Sequence, residues 1–181
     1  MDETRNIINY YHYWTTDAIK ADLDTKRNNF SILCANVAGD FNIGTVIRCA
    51  NAFLAKEVII YGRKKFDRRG TVGTHNYENF KHVRTVDELS DLRNNYLKDS
   101  VLIGMDNISG AKVINDYQWP NKHFVLCLGE EQLGIPDEIK AICNDFVYIK
   151  QYGSVRSLNV GVAAGIAMYD IAGKISKDKL S

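Results

Sequence analysis

Short apolar runs divided by polar loops are the strongest pattern along this chain. The runs cover residues 30–35, 57–61, 101–105, 123–128 and 146–149. Runs of this length are typical of strands that are buried on both faces of a sheet. The first two are joined by a segment, 43–54, whose apolar residues recur at helical spacing. Strand, helix and strand in this order predict an α/β fold built on a parallel sheet.

Helical patterns occupy further segments outside these runs. Residues 3–22 form a loosely amphipathic pattern, whose aromatic side chains can pack on the domain or stack on bases; packing is the favoured interpretation. A second helix, over residues 85–97, begins with the capping box Thr85–Glu88. A third, over 136–143, begins with a proline, which suits the first turn of a helix.

The longest apolar segment runs from residue 158 to residue 175. It is apolar on every side, so we expect a helix that is buried all round. Ser157 is the predicted N-cap, because its hydroxyl can accept a hydrogen bond from the first turn. Gly161 and Gly165 lie on one face of this helix, where they would let another backbone approach. Polar residues that open a buried helix, here Ser157 and Asn159, indicate a functional site.

Composition and charge describe an ordinary globular chain. Of its 181 residues, 45% are hydrophobic and 25% are charged, which predicts one domain with a full core. The net charge of +1 means that nucleic-acid binding would need a local basic patch. The cysteines lack CxxC spacing, so we expect reduced thiols, a cytoplasmic location and no metal site. The apolar runs fall short of the ~20 residues that a membrane span needs, so we expect no membrane contact.

A strongly basic loop follows the predicted strand at 57–61. Residues 62–70 read GRKKFDRRG, and the basic positions are Arg63, Lys64, Lys65, Arg68 and Arg69. Taken alone, such a run is most often a solvated loop. The functional alternative is a contact with the phosphate backbone of a nucleic acid, with Phe66 stacking on a base.

Three Gly-rich polar loops, 36–44, 129–135 and 150–157, each follow a predicted strand. Ligands of open parallel sheets bind at the carboxyl ends of strands, so the three loops can form one site. Common nucleotide motifs do not account for them. No lysine follows Gly44 as a phosphate-binding P-loop requires, and no GxGxxG or GxSxG motif follows a strand.

The three loops resemble the three motifs of the SPOUT methyltransferases, in the SpoU/TrmH branch. In chain order, the matching residues are Asn42-Ile-Gly44-x-x-x-Arg48, Gly129-Glu-Glu131-x-x-Gly134-Ile and Ile149-x-x-x-Gly153-x-x-x-Ser157-Leu-Asn159-Val. One such motif is a weak signal, whereas three in the family's order and spacing are specific. The chain departs from the family pattern at Lys150 and Gln151, where motif three usually has Pro and Met.

The resemblance implies a particular architecture. It implies a parallel sheet with helices on both faces and a C-terminal trefoil (α/β) knot, a rare exception to the rule that chains do not knot. It divides the chain into an N-terminal helical extension, 1–28, and a SPOUT methyltransferase domain, 29–176. It also implies a homodimer whose active site lies near the interface, and the helix predicted at 158–175 would suit that interface.

The resemblance also implies a reaction, the transfer of a methyl group from S-adenosylmethionine to a ribose 2′-hydroxyl of RNA. The substrate would be tRNA or rRNA, which the basic loop would help to bind. The implied cofactor-binding residues are Met105, Gly129, Ile149, Ser157 and Leu158. The implied catalytic residues are Asn42, Arg48, Glu131, Ser157 and Asn159.

Roles follow for individual catalytic residues by the same analogy. An arginine stays protonated and is a poor base, so we expect Arg48 to hold a phosphate. Asn42 would orient Arg48 or the ribose. Glu131 would pair with Arg48, or hold Ser157 and Asn159. Two other functions stay open: a knotted RNA-binding protein without catalysis, and an enzyme that methylates a base nitrogen.

Overall fold

The computed structural model describes residues 6–36, 42–131 and 133–178, and one sheet crosses this part of the chain. Its seven strands are β1 Phe30–Asn36, β2 Val58–Gly62, β3 Phe80–Val83, β4 Val101–Met105, β5 Lys112–Val113, β6 Phe124–Leu128 and β7 Asp145–Tyr148. They lie in the order β3-β2-β1-β6-β4-β7-β5, and all neighbouring pairs are parallel. The prediction of a parallel sheet is confirmed.

Helices cover both faces of this sheet. The α-helices are α1 Thr16–Asp24, α2 Ile43–Ala52, α3 Val86–Asp91, α4 Asp137–Lys140 and α5 Val160–Asp178, of which α1 packs away from the sheet in a third cluster. Successive strand residues such as Ile32 and Leu33 point to opposite faces and belong to two separate buried clusters. The first cluster includes side chains of α2 and α5, and the second includes side chains of α3 and α4. The predicted arrangement of helices on both faces is therefore confirmed.

The two edge strands, β3 and β5, were not predicted. β3 reads Phe-Lys-His-Val, and Phe80 is 40% exposed. β5 has only two residues. Edge strands bury less surface than central strands, so the continuous apolar run that marks the inner strands is missing from both.

Two of the predicted helices have different extents in the structure. The segment 85–97 begins as predicted, since the Thr85 hydroxyl accepts a hydrogen bond from the Glu88 amide at 3.2 Å. It then ends in a π-helical turn, Leu92–Tyr96, after α3. The segment 136–143 contains only the short helix α4, and irregular turns follow it.

The prediction of a helix over residues 3–22 is wrong in its first half. A short 3-10 turn, Asn9–Tyr11, comes first, and α1 begins only after Thr15, which caps it. Residues 3–5 lie outside the described part of the chain. Tyr11 is buried, as the packing interpretation predicts, whereas Tyr13 is 93% exposed.

A buried ion pair joins the segment after α1 to the rest of the fold. Arg27 Nη1 lies 2.9 Å from Glu78 Oε2, and Arg27 Nη2 donates to the Tyr77 carbonyl at 2.7 Å. The two charged side chains are only 5% and 0% exposed. Burial raises the pKa of Glu78, and the charge of Arg27 opposes this rise. The division into 1–28 and 29–176 stays a prediction, but the two parts are in firm contact.

The apolar helix α5 differs from its prediction in two ways. It begins at Val160, two residues later than expected, so Ser157 is not its cap. It is also not buried all round, because Val162, Ile166 and Tyr169 are 53%, 41% and 71% exposed. These three residues recur at helical spacing and form an apolar stripe, which we call the α5 stripe. A sequence pattern alone does not distinguish burial within one chain from an apolar face left exposed.

Two of the three glycines of α5, Gly161 and Gly165, face α2 and lie against its side chains. A Cβ added at Gly161 would lie 3.0 Å from Cβ of Thr45. One added at Gly165 would lie 3.3 Å from Sγ of Cys49. The helix that carries motif one therefore packs directly against the helix that follows motif three.

A half-buried histidine, His123, lies at the opposite, amino-terminal edge of the sheet. Ser31 Oγ is 2.9 Å from His123 Nε2, and Ser100 Oγ is 2.7 Å from His123 Nδ1. Burial, and to a smaller extent the charge of Lys56, lowers the pKa of His123 to about 4. The folded chain thus holds this ring neutral at a pH where an exposed histidine would be charged.

We expect the free energy of unfolding to fall as the pH falls from about 6.5, the ordinary histidine pKa, to about 4. In this window the unfolded chain binds a proton at His123 that the folded chain does not, so protons favour unfolding. Urea unfolding should give a value roughly 1–2 kcal/mol lower at pH 5 than at pH 7. His123→Gln should reduce this difference, and an equal difference in the variant would contradict the assignment.

Candidate active site

A cleft of about 740 Å³ opens at the carboxyl ends of β4, β6 and β7. Its walls come from the loops after these strands and from the first turn of α5. The residues expected to bind a cofactor all line it: Met105, Gly129, Ile149, Ser157 and Leu158. Their functions stay predictions, but the structure brings together residues that lie up to 53 positions apart in the chain.

The geometry of the 129–135 loop explains why two of its positions are glycine. The loop folds back on itself, with the amides of Glu130 and Gly134 each donating to the other's carbonyl at 2.9 Å. A Cβ added at Gly129 would lie 2.2 Å from the carbonyl carbon of Gly134, so no side chain fits there. Gly134 itself has φ of 68°, in the left-handed region that favours glycine.

Three of the expected catalytic residues form a hydrogen-bonded cluster beside the cleft. Asn42 Nδ2 donates to Glu131 Oε2 at 2.8 Å, and Asn159 Nδ2 donates to Asn42 Oδ1 at 2.8 Å. Asn159 Nδ2 also lies 3.4 Å from Glu131 Oε2. One residue of each motif therefore contributes to this motif cluster, Asn42–Glu131–Asn159. The remaining residues of the first loop, 37–41, lie outside the described part of the chain.

Asn159, rather than Ser157, caps α5. Its Oδ1 accepts hydrogen bonds from the amides of Gly161 at 3.0 Å and Val162 at 3.2 Å. These are amides of the first turn, which have no partner within the helix. The same side chain thus begins the helix and joins the motif cluster.

Arg48 and Ser157 are exposed and stand apart from this cluster. Arg48 lies six residues after Asn42 on α2, about 9 Å along the helix axis. No ion pair joins it to Glu131 among the residues that the structure describes, so the expected Arg48–Glu131 contact is absent there. Of the alternatives for Glu131, the contact with Asn159 is the one observed, and Asn42 is a partner that was not anticipated.

The basic loop packs directly on the first turn of α2. A Cβ added at Gly44 would lie 2.8 Å from the Asp67 carbonyl oxygen and 3.0 Å from Cα of Gly70. At the other end of the loop, Asn36 Nδ2 donates to the carbonyls of Arg63 at 2.6 Å and Lys65 at 3.1 Å. Asn36 ends β1, so the loop is held at the same edge of the sheet as the cleft.

The charged side chains of this loop point to solvent, but its aromatic ring does not. The exposed residues are Arg63, Lys64, Lys65, Arg68 and Arg69. Phe66 is half-buried against the core, and its ring centroid lies 6.3 Å from that of Phe80. The suggestion that Phe66 stacks on a base is therefore not supported.

Sequence reasoning missed several polar residues of the cleft, among them Asp106 and Gln151. Asp106 directly follows β4, and its Oδ2 would lie 3.5 Å from a Cβ added at Gly134. Its place after a buried strand was a signal that could have been used. Gln151 was noticed only as a departure from the family pattern, yet it also lines the cleft.

Metal-binding groups and membrane spans are both absent from the described part of the chain. Within residues 6–36, 42–131 and 133–178, no group of three or more His, Cys, Asp or Glu side chains is placed to hold a metal ion. In the same ranges, no helix has the length and apolar character needed to cross a membrane.

Comparison with known families gives an extended match. Residues 29–169 match the model of the SpoU rRNA Methylase family. The chain is similar to the tRNA (guanosine(18)-2'-O)-methyltransferase of Aquifex aeolicus, with 27% identity over 154 residues, 82% of this chain and 71% of the relative. It spans 63% and 64% of two other curated relatives.

Solved structures of similar fold agree with this match. The SpoU methyltransferase AviRb from Streptomyces viridochromogenes, in complex with its cofactor AdoMet, aligns with a TM-score of 0.72 and 25% identity, over 83% of this chain and 59% of that chain. The A. aeolicus TrmH/SpoU tRNA modifying enzyme aligns with a TM-score of 0.76 and 24% identity, over 91% of this chain and 84% of that chain. At 24% identity this second likeness shows the fold alone.

The sheet, the cleft and the sequence comparison lead to one assignment. The matched segment, 29–169, contains all seven strands and the three motif loops. The parallel sheet agrees with the similar solved structures. The chain belongs to the SpoU rRNA methylase family, the SpoU/TrmH branch of the SPOUT methyltransferases.

Proposed function

We propose that this chain transfers a methyl group from S-adenosylmethionine to a ribose 2′-hydroxyl of tRNA or rRNA. The observation that carries the proposal is the motif cluster, because Glu131 lines the cleft and Asn42 precedes the helix that bears Arg48. An RNA held at Arg48 would therefore lie beside the cleft. One similar protein is named for 2′-O-methylation of guanosine 18 in tRNA, which supports the ribose as the acceptor.

The residues of the cleft fit S-adenosylmethionine in size and in chemistry. A volume of about 740 Å³ lies within the range of small-molecule sites. The apolar side chains of Met105, Ile149 and Leu158 would cover the adenine ring. The carboxylates of Asp106 and Glu130 would attract the positive charges of the methionine portion.

The chemistry needs an in-line approach and the loss of one proton. When bound, S-adenosylmethionine supplies a methyl carbon activated by a positively charged sulfur. Met105, Ile149 and Leu158 would hold the cofactor in the cleft, and the ribose oxygen would accept its methyl group with the electron pair of the broken carbon–sulfur bond left on sulfur. Arg48 does not take the hydroxyl proton, because arginine stays protonated in proteins. We assign to Arg48 the role of holding a neighbouring phosphate of the RNA in position. The phosphate or a nearby group would then receive the hydroxyl proton.

The remaining features of the proposal concern assembly. The exposed α5 stripe supports a homodimer, because contiguous apolar surface is often an interaction surface. We propose that this stripe forms the interface, that the C-terminal segment is knotted and that the enzyme acts in the cytoplasm. Sedimentation of the chain as a monomer at micromolar concentration would count against the dimer.

The test of the function is a methyl-transfer reaction on total RNA with a cofactor that carries an isotope-labelled methyl group. Nucleoside mass spectrometry of the digested RNA should find the label in a 2′-O-methylated nucleoside. Label on a base would show that the methyl acceptor is a base nitrogen and not the ribose. Bound cofactor without any label in RNA would support an RNA-binding protein that lacks catalysis.

A further inference from the structure

The side chain of Gln151 has an unsatisfied oxygen in the wall of the cleft. Its Oε1 is buried and accepts no hydrogen bond from any residue in the described ranges. Buried polar atoms of folded proteins almost always have a partner, because leaving one unpaired is costly. An unpaired acceptor at the edge of a cleft therefore indicates a donor on the ligand. The ligand must offer an N–H or O–H group at this position.

The charges around the cleft discriminate between the donors of S-adenosylmethionine. The loop 149–157, which contains Gln151, has the basic residues Lys150 and Arg156 and no carboxylate. The carboxylates of the cleft are on the loops after β4 and β6 instead. The positively charged ammonium group would be repelled near the basic loop and attracted to the carboxylates. The donor that faces Gln151 must therefore be neutral.

Neighbouring apolar side chains favour the adenine over the ribose. Ile149 and Leu158, which precede and follow Gln151 in the chain, line the same cleft. Apolar side chains suit the faces of a flat base, whereas a ribose carries hydroxyl groups that need polar partners. Adenine also has one neutral exocyclic amine, which can donate to a side-chain amide oxygen.

We propose that the Gln151 side chain accepts a hydrogen bond from the exocyclic amine of the cofactor's adenine and thereby selects adenine over other purines. Gln151 is a specificity-determining residue in this scheme, and it contacts the cofactor rather than the RNA. The inference rests on the proposed cofactor site. It explains why a polar side chain stands at a position where the family pattern has methionine.

The test compares two ligands and three forms of the full-length protein by titration calorimetry. The ligands are S-adenosylhomocysteine and its purine analogue, in which a hydrogen atom replaces the adenine amine. Wild type should prefer the adenine form by roughly ten- to a hundredfold, because the analogue offers neither a donor nor an acceptor at this position and leaves Gln151 unpaired. Gln151→Met, which removes the acceptor at similar length, should bind the two ligands within about threefold of each other.

Two controls make the outcome specific. Tyr152→Met, at an exposed position on the same loop that does not line the cleft, should keep the preference of the wild type. The melting temperature of ligand-free Gln151→Met should not fall, because the substitution removes a buried unpaired acceptor. The role of Gln151 would be overturned, with the cofactor site left intact, by either of two results. One is equal affinity of wild type for both ligands, and the other is an unchanged preference in Gln151→Met. Failure of wild type to bind S-adenosylhomocysteine or S-adenosylmethionine would overturn the cofactor site and this inference together.

Discussion

Arg48→Ala is expected to reduce methyl transfer by at least about a hundredfold while leaving S-adenosylmethionine bound. Removing a charge that positions and stabilises a reacting group typically costs a factor of 10²–10³. The exposed guanidinium stands on α2 and does not line the cleft, so cofactor binding does not depend on it. Alanine is the best helix former, which means that α2 itself should not be weakened. Single-turnover rates and calorimetry on the same preparation measure the two effects.

Matched variants separate the possible roles of this side chain. Arg48→Lys should recover little activity, since lysine keeps the charge but loses the planar fork that grips a phosphate. If Arg48 holds a phosphate, part of the lost rate should return at saturating RNA. Arg84→Ala, at an exposed arginine outside the cleft lining, should behave like the wild type. Near wild-type rates for Arg48→Ala would remove Arg48 from the mechanism.

Neutralising the basic loop is expected to weaken RNA binding strongly and to reduce its dependence on salt. Each lost contact with a phosphate should lower the slope of log affinity against log salt concentration by roughly 0.7 on single-stranded RNA. The five positions to change to glutamine are Arg63, Lys64, Lys65, Arg68 and Arg69. Filter binding at several salt concentrations measures the slope. Cofactor affinity should stay the same, because none of these residues lines the cleft.

The opposite edge of the sheet provides a control for this experiment. Three exposed lysines, Lys56, Lys98 and Lys122, lie in the segments that lead into β2, β4 and β6, at the amino-terminal edge of the sheet. Changing them to glutamine removes charge from the same protein without touching the loop. In this lysine variant, the slope of log affinity against log salt concentration should stay close to that of the wild type. An equal loss in both variants would show that binding depends on overall charge rather than on the loop.

The inner part of the fold was readable from sequence because central strands of a parallel sheet are apolar on both faces. The edge strands were not, since Phe80 and its neighbours are partly exposed and carry no continuous apolar run. The residues of the cleft could be located from the three motifs. Each motif follows a strand, and the carboxyl ends of parallel strands meet at one edge of the sheet. The partners of Asn42, and the choice among the partners offered for Glu131, could not be predicted in the same way. Hydrogen bonds across 89 and 117 positions depend on how helices and loops are finally oriented.

The exposure of α5 shows a second limit of the same kind. Val162, Ile166 and Tyr169 are as apolar as their buried neighbours, and only three-dimensional packing shows which face α2 covers. Ser157 and Asn159 are both good caps by residue type. The choice between them depends on where the backbone first turns helical, and this follows from the path of the preceding loop.

Asn159 imposes a direction on the motif cluster. Its oxygen is occupied by two amides of α5, so only its NH₂ group faces the other motifs. Asn42 must then turn its oxygen towards Asn159 and its nitrogen towards Glu131. Donated hydrogen bonds thus run one way, from the start of the helix through two amides to a carboxylate. Unwinding the first turn of α5 would free the Asn159 amide to flip, so the orientation of three motif side chains becomes a reporter of whether that turn is intact.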